Sequence, residues 1–163
     1  MKKIITVLAI VSISLVNAQA FKGKGDIKFQ VGATMQEYAT GIGTSVDFGI
    51  ADNLSYGLAV SYLLNTTDAD GTPKFDDKFD AKLRFNANIG NVLKISEKLD
   101  VYPGLDLGLR NFGVHLGARY FFTNGFGMYT EAGIPLAKYN TNAIGYERFN
   151  NQFVFQIGAS FNL

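Results

Sequence analysis

The segment that decides the fold is residues 151–163, which read NQFVFQIGASFNL. Apolar side chains occupy alternate positions, namely Phe153, Phe155, Ile157, Ala159, Phe161 and Leu163, and Val154, Gln156, Gly158, Ser160 and Asn162 lie between them. A period of two residues places these sets on opposite faces of a β-strand, one apolar and one mostly polar. Because a bare edge on such a strand invites aggregation, we expect it to close a barrel against the first strand of the sheet.

Seven earlier segments repeat this alternation. They are residues 27–34, 42–50, 54–64, 78–89, 99–110, 112–120 and 126–134. Asn124-Gly125 is a strong hairpin signal, and Pro135 predicts either the end of a strand or a bulge. Fairly short connections alternate with long ones at residues 65–77 and 137–150, which is typical of barrels that cross a membrane. The sequence therefore predicts an all-β fold, an eight-stranded antiparallel up-and-down transmembrane β-barrel.

Side-chain size predicts which face of the strands lines the lumen. The face opposite the large apolar residues carries many small ones, among them Gly43, Gly57, Gly104, Gly113, Gly117, Gly133 and Gly158. The narrow interior of such a barrel accepts only modest side chains, so we expect this face inside and the apolar face towards lipid. The alternative is a soluble lipocalin-like binding barrel, whose apolar face would point inwards.

Aromatic residues are predicted to mark two membrane interfaces. Phe48, Tyr56, Tyr120, Phe126 and Phe161 fall at strand ends that share one interface, and Tyr62, Phe79, Phe112 and Phe153 fall at the opposite ends. Aromatic rings are enriched at the depth of the lipid headgroups. This placement favours the membrane barrel over the soluble one.

The first twenty residues read MKKIITVLAIVSISLVNAQA and are typical of a secretory signal peptide. Lys2 and Lys3 form a basic start, residues 4–16 form an apolar core, and Ala18-Gln19-Ala20 is a small-residue cleavage site. The core is shorter than the roughly 20 residues that a membrane-spanning helix needs. We predict a cleaved signal peptide at residues 1–20 and a barrel domain at residues 21–163, with cleavage after Ala18 as the second choice.

Composition limits the chemistry. The chain has 15 Lys and Arg against 14 Asp and Glu, and loss of the two lysines of the signal leaves 13 against 14, a formal net charge of −1. This balance gives no electrostatic case for nucleic acid. The chain has no cysteine, which excludes disulfides and thiolate metal sites. We predict no cofactor, no metal site and no catalytic residue.

Charged residues on the predicted lumen face form the candidate site. They are Lys28, Asp47, Lys78, Asp80, Lys82, Arg84, Asp100, Asp106, Arg110, His115, Arg119 and Glu131. Buried charges need partners, so the main hypothesis is a network of ion pairs that fills the barrel, and the alternative is a polar conduit. His115, the only histidine, also raises the hypothesis of a lipid-modifying enzyme with a serine nucleophile. No G-x-S-x-G motif accompanies it.

With its export signal, alternating strands and apolar terminal strand, the chain resembles the small Gram-negative outer-membrane β-barrels of the OmpA-transmembrane-domain and OmpX type. In that family the terminal strand is the recognition signal for the barrel assembly machinery and usually ends in an aromatic residue, most often Phe, whereas here Leu163 is last and Phe161 lies two before it. The resemblance covers residues 21–163 and matches no residue-specific motif. It implies a location in the cell outer membrane, contact with outer-membrane lipid and lipopolysaccharide, and the assembly machinery as partner during biogenesis.

The predicted function is that of an integral outer-membrane β-barrel of structural or surface-interaction type, monomeric and not an enzyme. Its polar and charged side chains fill the lumen, and residues 65–77 and 137–150 face partners. A narrow porin-like channel for small solutes, a lipid-modifying enzyme and the soluble barrel are the alternatives, because fold alone does not choose among such roles.

Overall fold

A computed structural model describes residues 19–67, 72–142 and 144–163. Nearly all of the predicted signal peptide, residues 1–18, lies outside the described residues. Within the described ranges, no helix has the length and apolar character needed to cross a membrane.

The described residues form eight antiparallel strands. They are β1 (Ile27–Gln36), β2 (Ala39–Ala51), β3 (Leu54–Thr66), β4 (Phe79–Ala87), β5 (Leu99–Gly108), β6 (Asn111–Phe121), β7 (Phe126–Lys138) and β8 (Val154–Asn162). Two one-turn helices, α1 (Phe75–Lys78) and α2 (Gly90–Leu93), and a 3-10 turn (Gly145–Arg148) lie in the described connections. Each strand pairs with its neighbours in sequence and β1 pairs with β8, which confirms the predicted closed up-and-down barrel.

Strand β8 closes the barrel as predicted. Phe161 lies opposite Phe29 of β1 on one side and opposite Phe126 of β7 on the other. At the end of the chain, the Leu163 N–H donates to the Ile27 carbonyl at 3.0 Å. Both edges of the terminal strand are therefore paired, which removes the open edge that would invite aggregation.

Polar and apolar side chains are distributed as they are in a barrel that faces lipid. Leu58, Leu83 and Leu116 point outwards with 48%, 57% and 57% of their surface exposed. Arg84 and Arg119 point inwards and are only 4% and 1% exposed. Water would favour the reverse arrangement, and a hydrocarbon environment favours this one. The soluble alternative with an apolar interior is therefore wrong.

The two ends of the barrel differ in their connections. The turn end carries residues 52–53, 88–98 and 122–125 together with the N-terminal residues 19–26. The loop end carries residues 37–38, 67, 72–78, 109–110, 139–142 and 144–153. Both long loops begin later than predicted, because β3 continues to Thr66 and β7 continues past Pro135 to Lys138. Pro135 marks a bulge: Gly113 lies opposite Pro135 and Phe112 opposite Ala137, which leaves one extra residue in β7.

Aromatic rings gather near both ends of the barrel wall. At the turn end, ring centroids lie 5.7 Å apart for Phe48 and Tyr56 and 5.6 Å apart for Phe126 and Phe161. At the loop end, the Phe75 ring lies 5.4 Å from those of Tyr62 and Phe79. The leucine-rich outer surface lies between these groups, the arrangement expected of a wall that spans a bilayer.

Candidate functional site

The interior of the barrel holds most of the charged residues that the sequence analysis places there. The buried members are Lys28, Asp47, Asp80, Arg84, Asp100, Asp106, His115, Arg119 and Glu131. Lys82 also faces the lumen, with 22% of its side chain exposed and its Nζ 3.8 Å from Asp80 Oδ2. Strand alternation positions all of them, because each occupies the face opposite the outward leucines and phenylalanines.

Lys78 and Arg110 do not belong to this interior network, which corrects the prediction for both. Lys78 is the last residue of α1, before β4 begins at Phe79. Arg110 lies in the turn between β5 and β6, where its guanidinium donates to the backbone carbonyl of Asp76. The alternation continues past the ends of β4 and β5 in the sequence, so it assigned a lumen face to residues outside both strands.

Arg84 on β4 is the centre of one half of the network. Its Nη2 lies 2.5 Å from Glu131 Oε2 on β7, and its Nε lies 3.4 Å from Asp47 Oδ1 on β2. The same Nη2 lies 2.9 Å from His115 Nε2. These contacts cross the lumen from β4 to strands on other sides of the barrel, so Arg84 occupies its middle.

His115 is held by this half of the network. Its Nδ1 lies 3.0 Å from Asp106 Oδ1, and its Nε2 lies 2.8 Å from Asn86 Oδ1. With the Arg84 contact, both ring nitrogens have polar neighbours. Among the described residues, none of these neighbours is a serine or threonine hydroxyl. The enzyme hypothesis requires a serine nucleophile beside His115, and these contacts of the imidazole do not supply one.

Arg119 on β6 is the centre of the other half. Its Nη2 donates to Asp100 Oδ2 at 2.8 Å and to Asn88 Oδ1 at 2.7 Å, and its Nε donates to Asp100 Oδ2 at 3.1 Å. Its Nη1 lies 3.5 Å from Asp47 Oδ2. Because Asp47 also contacts Arg84, this single carboxylate on β2 joins the two halves.

Tyr102 separates the two guanidinium groups and is fully buried. Its ring centroid lies 4.6 Å from the guanidinium carbon of Arg119 and 5.9 Å from that of Arg84, within the range of a cation–π contact. Its hydroxyl accepts a hydrogen bond from Gln30 Nε2 at 3.1 Å, and Gln30 Oε1 accepts one from Ser45 at 2.9 Å. The sequence analysis missed these uncharged members, although alternation places Tyr102 on the lumen face.

Glycines make room for the large side chains in the lumen. Gly117 of β6 lies opposite Tyr102, and Gly104 of β5 lies opposite His115. A Cβ at Gly117 would overlap the Tyr102 ring, and one at Gly104 would overlap the imidazole of His115. A glycine opposite a large inward residue is therefore the sequence signal that identifies Tyr102 as part of the network.

Gly117→Ala is expected to destabilise the barrel by about 1–3 kcal/mol, since the added methyl forces the Tyr102 ring out of its packed position. Gly133→Ala is the matched control on β7, where the nearest atom to a new Cβ is 3.6 Å away. Urea unfolding in lipid vesicles, followed by the gel shift between folded and heated protein, measures both. Equal losses of unfolding free energy in Gly117→Ala and Gly133→Ala would contradict this account of the packing.

Residues 20–26 cover the lumen at the turn end. Phe21 is 1% exposed, with Lys28 Nζ 5.8 Å from its ring centroid and the guanidinium carbon of Arg119 6.0 Å from it. Lys28 in turn forms an ion pair with Asp26. An aromatic ring and an ion pair thus lie across this mouth of the barrel.

Residues of the connection between β7 and β8 cover the loop end. Phe149 is fully buried against Ala39 and Leu63. The Asn150 N–H donates to Gln36 Oε1 at 2.9 Å, and Asn111 Nδ2 donates to the Asn150 carbonyl at 2.8 Å. These contacts fix the connection to β1, β2, β3 and β6, so it lies across the mouth of the barrel.

Cavities agree with a filled interior. A lumen cavity beside Asp80, Lys82 and Gln156 has a volume of about 20 Å³, enough for about one water molecule. A groove of about 730 Å³ lies on the outer wall between Phe85, Leu116 and neighbouring apolar residues. In the described part of the chain, no three His, Asp or Glu side chains are grouped to hold a metal ion.

Comparison with known protein families gives a match over most of the chain. A profile of the family described as "Family of unknown function (DUF6646)" matches residues 11–163. No curated protein matches the chain.

Solved structures of the same fold include natural and designed barrels. The N-terminal β-barrel domain of Pseudomonas aeruginosa OprF is similar at a TM-score of 0.60 and 12% identity, over 87% of this chain and 100% of that one. The outer membrane protein OprG of the same organism aligns at 0.57 and 11%, over 89% and 99%. A de novo designed transmembrane β-barrel aligns at 0.59 and 10%, over 88% and 99%. At these identities the likeness concerns the fold, and it confirms the architectural resemblance to small outer-membrane barrels.

Proposed function

We propose that this chain, which belongs to the family of unknown function DUF6646, is an integral outer-membrane β-barrel with a filled, non-conducting lumen. Its role is structural or surface-interacting, and it is not an enzyme. The observation that carries this proposal is the continuous set of contacts in the lumen, from Phe21 through Arg119, Asp47 and Arg84 to Glu131. A barrel filled in this way stabilises itself and presents its loops without a pathway for solutes.

The outer surface supports residence in a membrane. Leu58 of β3 lies opposite Leu83 of β4, and Leu83 lies opposite Leu107 of β5. All three side chains are exposed, at 48%, 57% and 54%. A continuous apolar surface on three adjacent strands would aggregate in water, whereas in hydrocarbon it has no such cost. Outer-membrane lipid and lipopolysaccharide are the proposed neighbours of this surface.

Export and assembly belong to the same proposal. The signal sequence at the start of the chain directs it across the inner membrane, and the terminal strand is read by the barrel assembly machinery. We place the turn end in the periplasm and the loop end outside the cell, because outer-membrane barrels have short periplasmic turns and longer external loops. The barrel acts as a monomer.

The lumen contacts favour the filled barrel over the porin-like channel. An ion that crosses the middle of the lumen has to separate Arg84 from Glu131 or Arg119 from Asp100, pairs joined at 2.5 Å and 2.8 Å. Leaving one charge of a buried ion pair without its partner costs about 3–5 kcal/mol. The same ion would also have to pass Phe21 at one mouth of the barrel and Phe149 at the other, and both side chains are buried there.

Single-channel recording tests this proposal. The folded protein in a planar lipid bilayer is expected to give no discrete conductance steps. A variant with Tyr102→Gly and Arg119→Gly removes two of the largest side chains of the lumen and serves as the positive control, provided that its heat-dependent gel shift shows a folded barrel. Regular conductance steps from the unaltered protein would favour the channel instead.

A further inference from the structure

We propose that the export signal is cut after Ala18, so that the mature protein begins at Gln19 and Ala20 is the first residue packed into the fold. This inference rests on the export that the proposed function requires. The sequence permits a cut after Ala18 or after Ala20, because Val16 and Ala18 precede the first site, and Ala18 and Ala20 the second, at the positions where small residues are preferred. The contacts of residues 19–26 distinguish the two.

Ala20 is an integral part of the barrel. It is 1% exposed, and its side chain packs against Phe121 at the end of β6. Its N–H donates to the carbonyl of Glu97 at 2.7 Å, in the turn between β4 and β5. A cut after Ala20 would remove the residue that makes both contacts and would leave the Glu97 carbonyl without this donor.

Phe21 is a poor position for a new chain end. A free amino group at residue 21 would place a positive charge on a residue that is 1% exposed. Two cations, Lys28 and Arg119, already lie over its ring. Burial of a further charge among like charges is unfavourable.

Gln19 offers a better position for that charge. It is partly exposed and lines an open surface pocket of about 710 Å³ with Asn91, Lys94, Ser96 and Glu97. An ammonium group at this position stays hydrated, and the pocket that it lines carries the Glu97 carboxylate as well as the Lys94 cation. A cut after Ala18 therefore leaves the packed residues intact and puts the terminal charge at the surface.

The segment that follows is tied to the barrel by its backbone. The Gly25 N–H donates to the Gly49 carbonyl at 2.9 Å, and the Gly49 N–H donates to the Asp26 carbonyl at 2.7 Å. Gly23 and Gly25 have φ values of 87° and 86°, a conformation that favours glycine. Residues 20–26 thus have a specified structure, which extends the fold to the residue before the predicted domain start at residue 21.

The intact mass of the protein purified from the outer membrane tests this inference. The expected mass is that of the chain from Gln19, either as such or less one ammonia. The second form arises when the terminal amine of Gln19 bonds to its own side-chain Cδ and the amide nitrogen leaves as ammonia. The mass of the chain from Phe21 would overturn the inference. The mass of the whole chain from Met1 would show that the signal is not cleaved and would also overturn the inference. Recovery of the protein from other cell fractions, with none in the outer membrane, would instead overturn the proposed function.

Two variants show which cleavage site is used, independently of the mass of the natural protein. Val16→Phe puts a bulky ring three residues before the cut after Ala18 and keeps the apolar core of the signal. It is expected to stop the production of chains that begin at Gln19. Ala20→Leu blocks only a cut after residue 20, so these chains should still begin at Gln19. If Val16→Phe is processed normally and Ala20→Leu is not, the inference is wrong.

Discussion

Deletion of residues 153–163 should leave the protein outside the membrane, degraded or aggregated in the periplasm. The deletion removes β8, which pairs with β1 along Lys28–Gln36 and with β7 along Phe126–Gly133. The remaining sheet would have two open edges, and each backbone group left unpaired in lipid costs several kcal/mol. Fractionation of expressing cells, followed by protease treatment and the heat-dependent gel shift, measures the loss of insertion.

The matched control removes residues from an exposed loop. Deletion of residues 140–142, which lie between β7 and the 3-10 turn, leaves every strand pair in place. This variant should reach the outer membrane and show the gel shift of a folded barrel. If the chain without residues 153–163 inserts and resists protease equally well, the terminal strand does not have the role assigned to it.

Arg84→Leu should lower the stability of the barrel by about 3–5 kcal/mol, because it leaves the buried carboxylate of Glu131 without its cation. Glu131 is 8% exposed, and Asp47, 1% exposed, would keep only its contact with Arg119. Adding Glu131→Gln removes one unpaired charge and should restore part of the loss. Urea unfolding of the refolded protein in vesicles provides the free energies.

Leu83→Arg, one residue away, should destabilise by a different mechanism. Leu83 faces outwards, and an arginine at the middle of a bilayer costs about 2–4 kcal/mol. The new arginine side chain would contact lipid and not Glu131, so adding Glu131→Gln should restore none of the lost stability. If Glu131→Gln rescues Leu83→Arg and not Arg84→Leu, the faces of β4 have been assigned the wrong way round.

The sequence predicts the barrel because two of its features act together. Alternation with a period of two defines the strands, and the glycines opposite Phe and Leu define the narrow inner face. Strand number, closure and the inward direction of Arg84 and Arg119 follow from these features. Alternation alone does not say which face of a strand is inside, so it is equally compatible with a soluble barrel. Burial of Arg84 and Arg119 excludes that alternative.

Other parts of the site do not follow from the sequence. Lys78 and Arg110 were misplaced because alternation continues into residues that lie beyond the hydrogen-bonded strands. The covers at Phe21 and Phe149 depend on contacts between segments far apart in the chain, for which no periodic signal exists. Uncharged members such as Gln30 enter the network through hydrogen bonds with Tyr102 and Ser45, and a search for charged residues passes over them.

The central claim is that the leucine face meets lipid and the charged face is sealed inside. The most direct measurement is labelling of the natural protein in vesicles by a photoactivated carbene dissolved in the lipid, read residue by residue with mass spectrometry. Label is expected on Leu58, Leu83, Leu107 and Leu116 and not on Arg84, Tyr102, Gly117 or Arg119. Label on the second group, or its absence from the first, would contradict the claim.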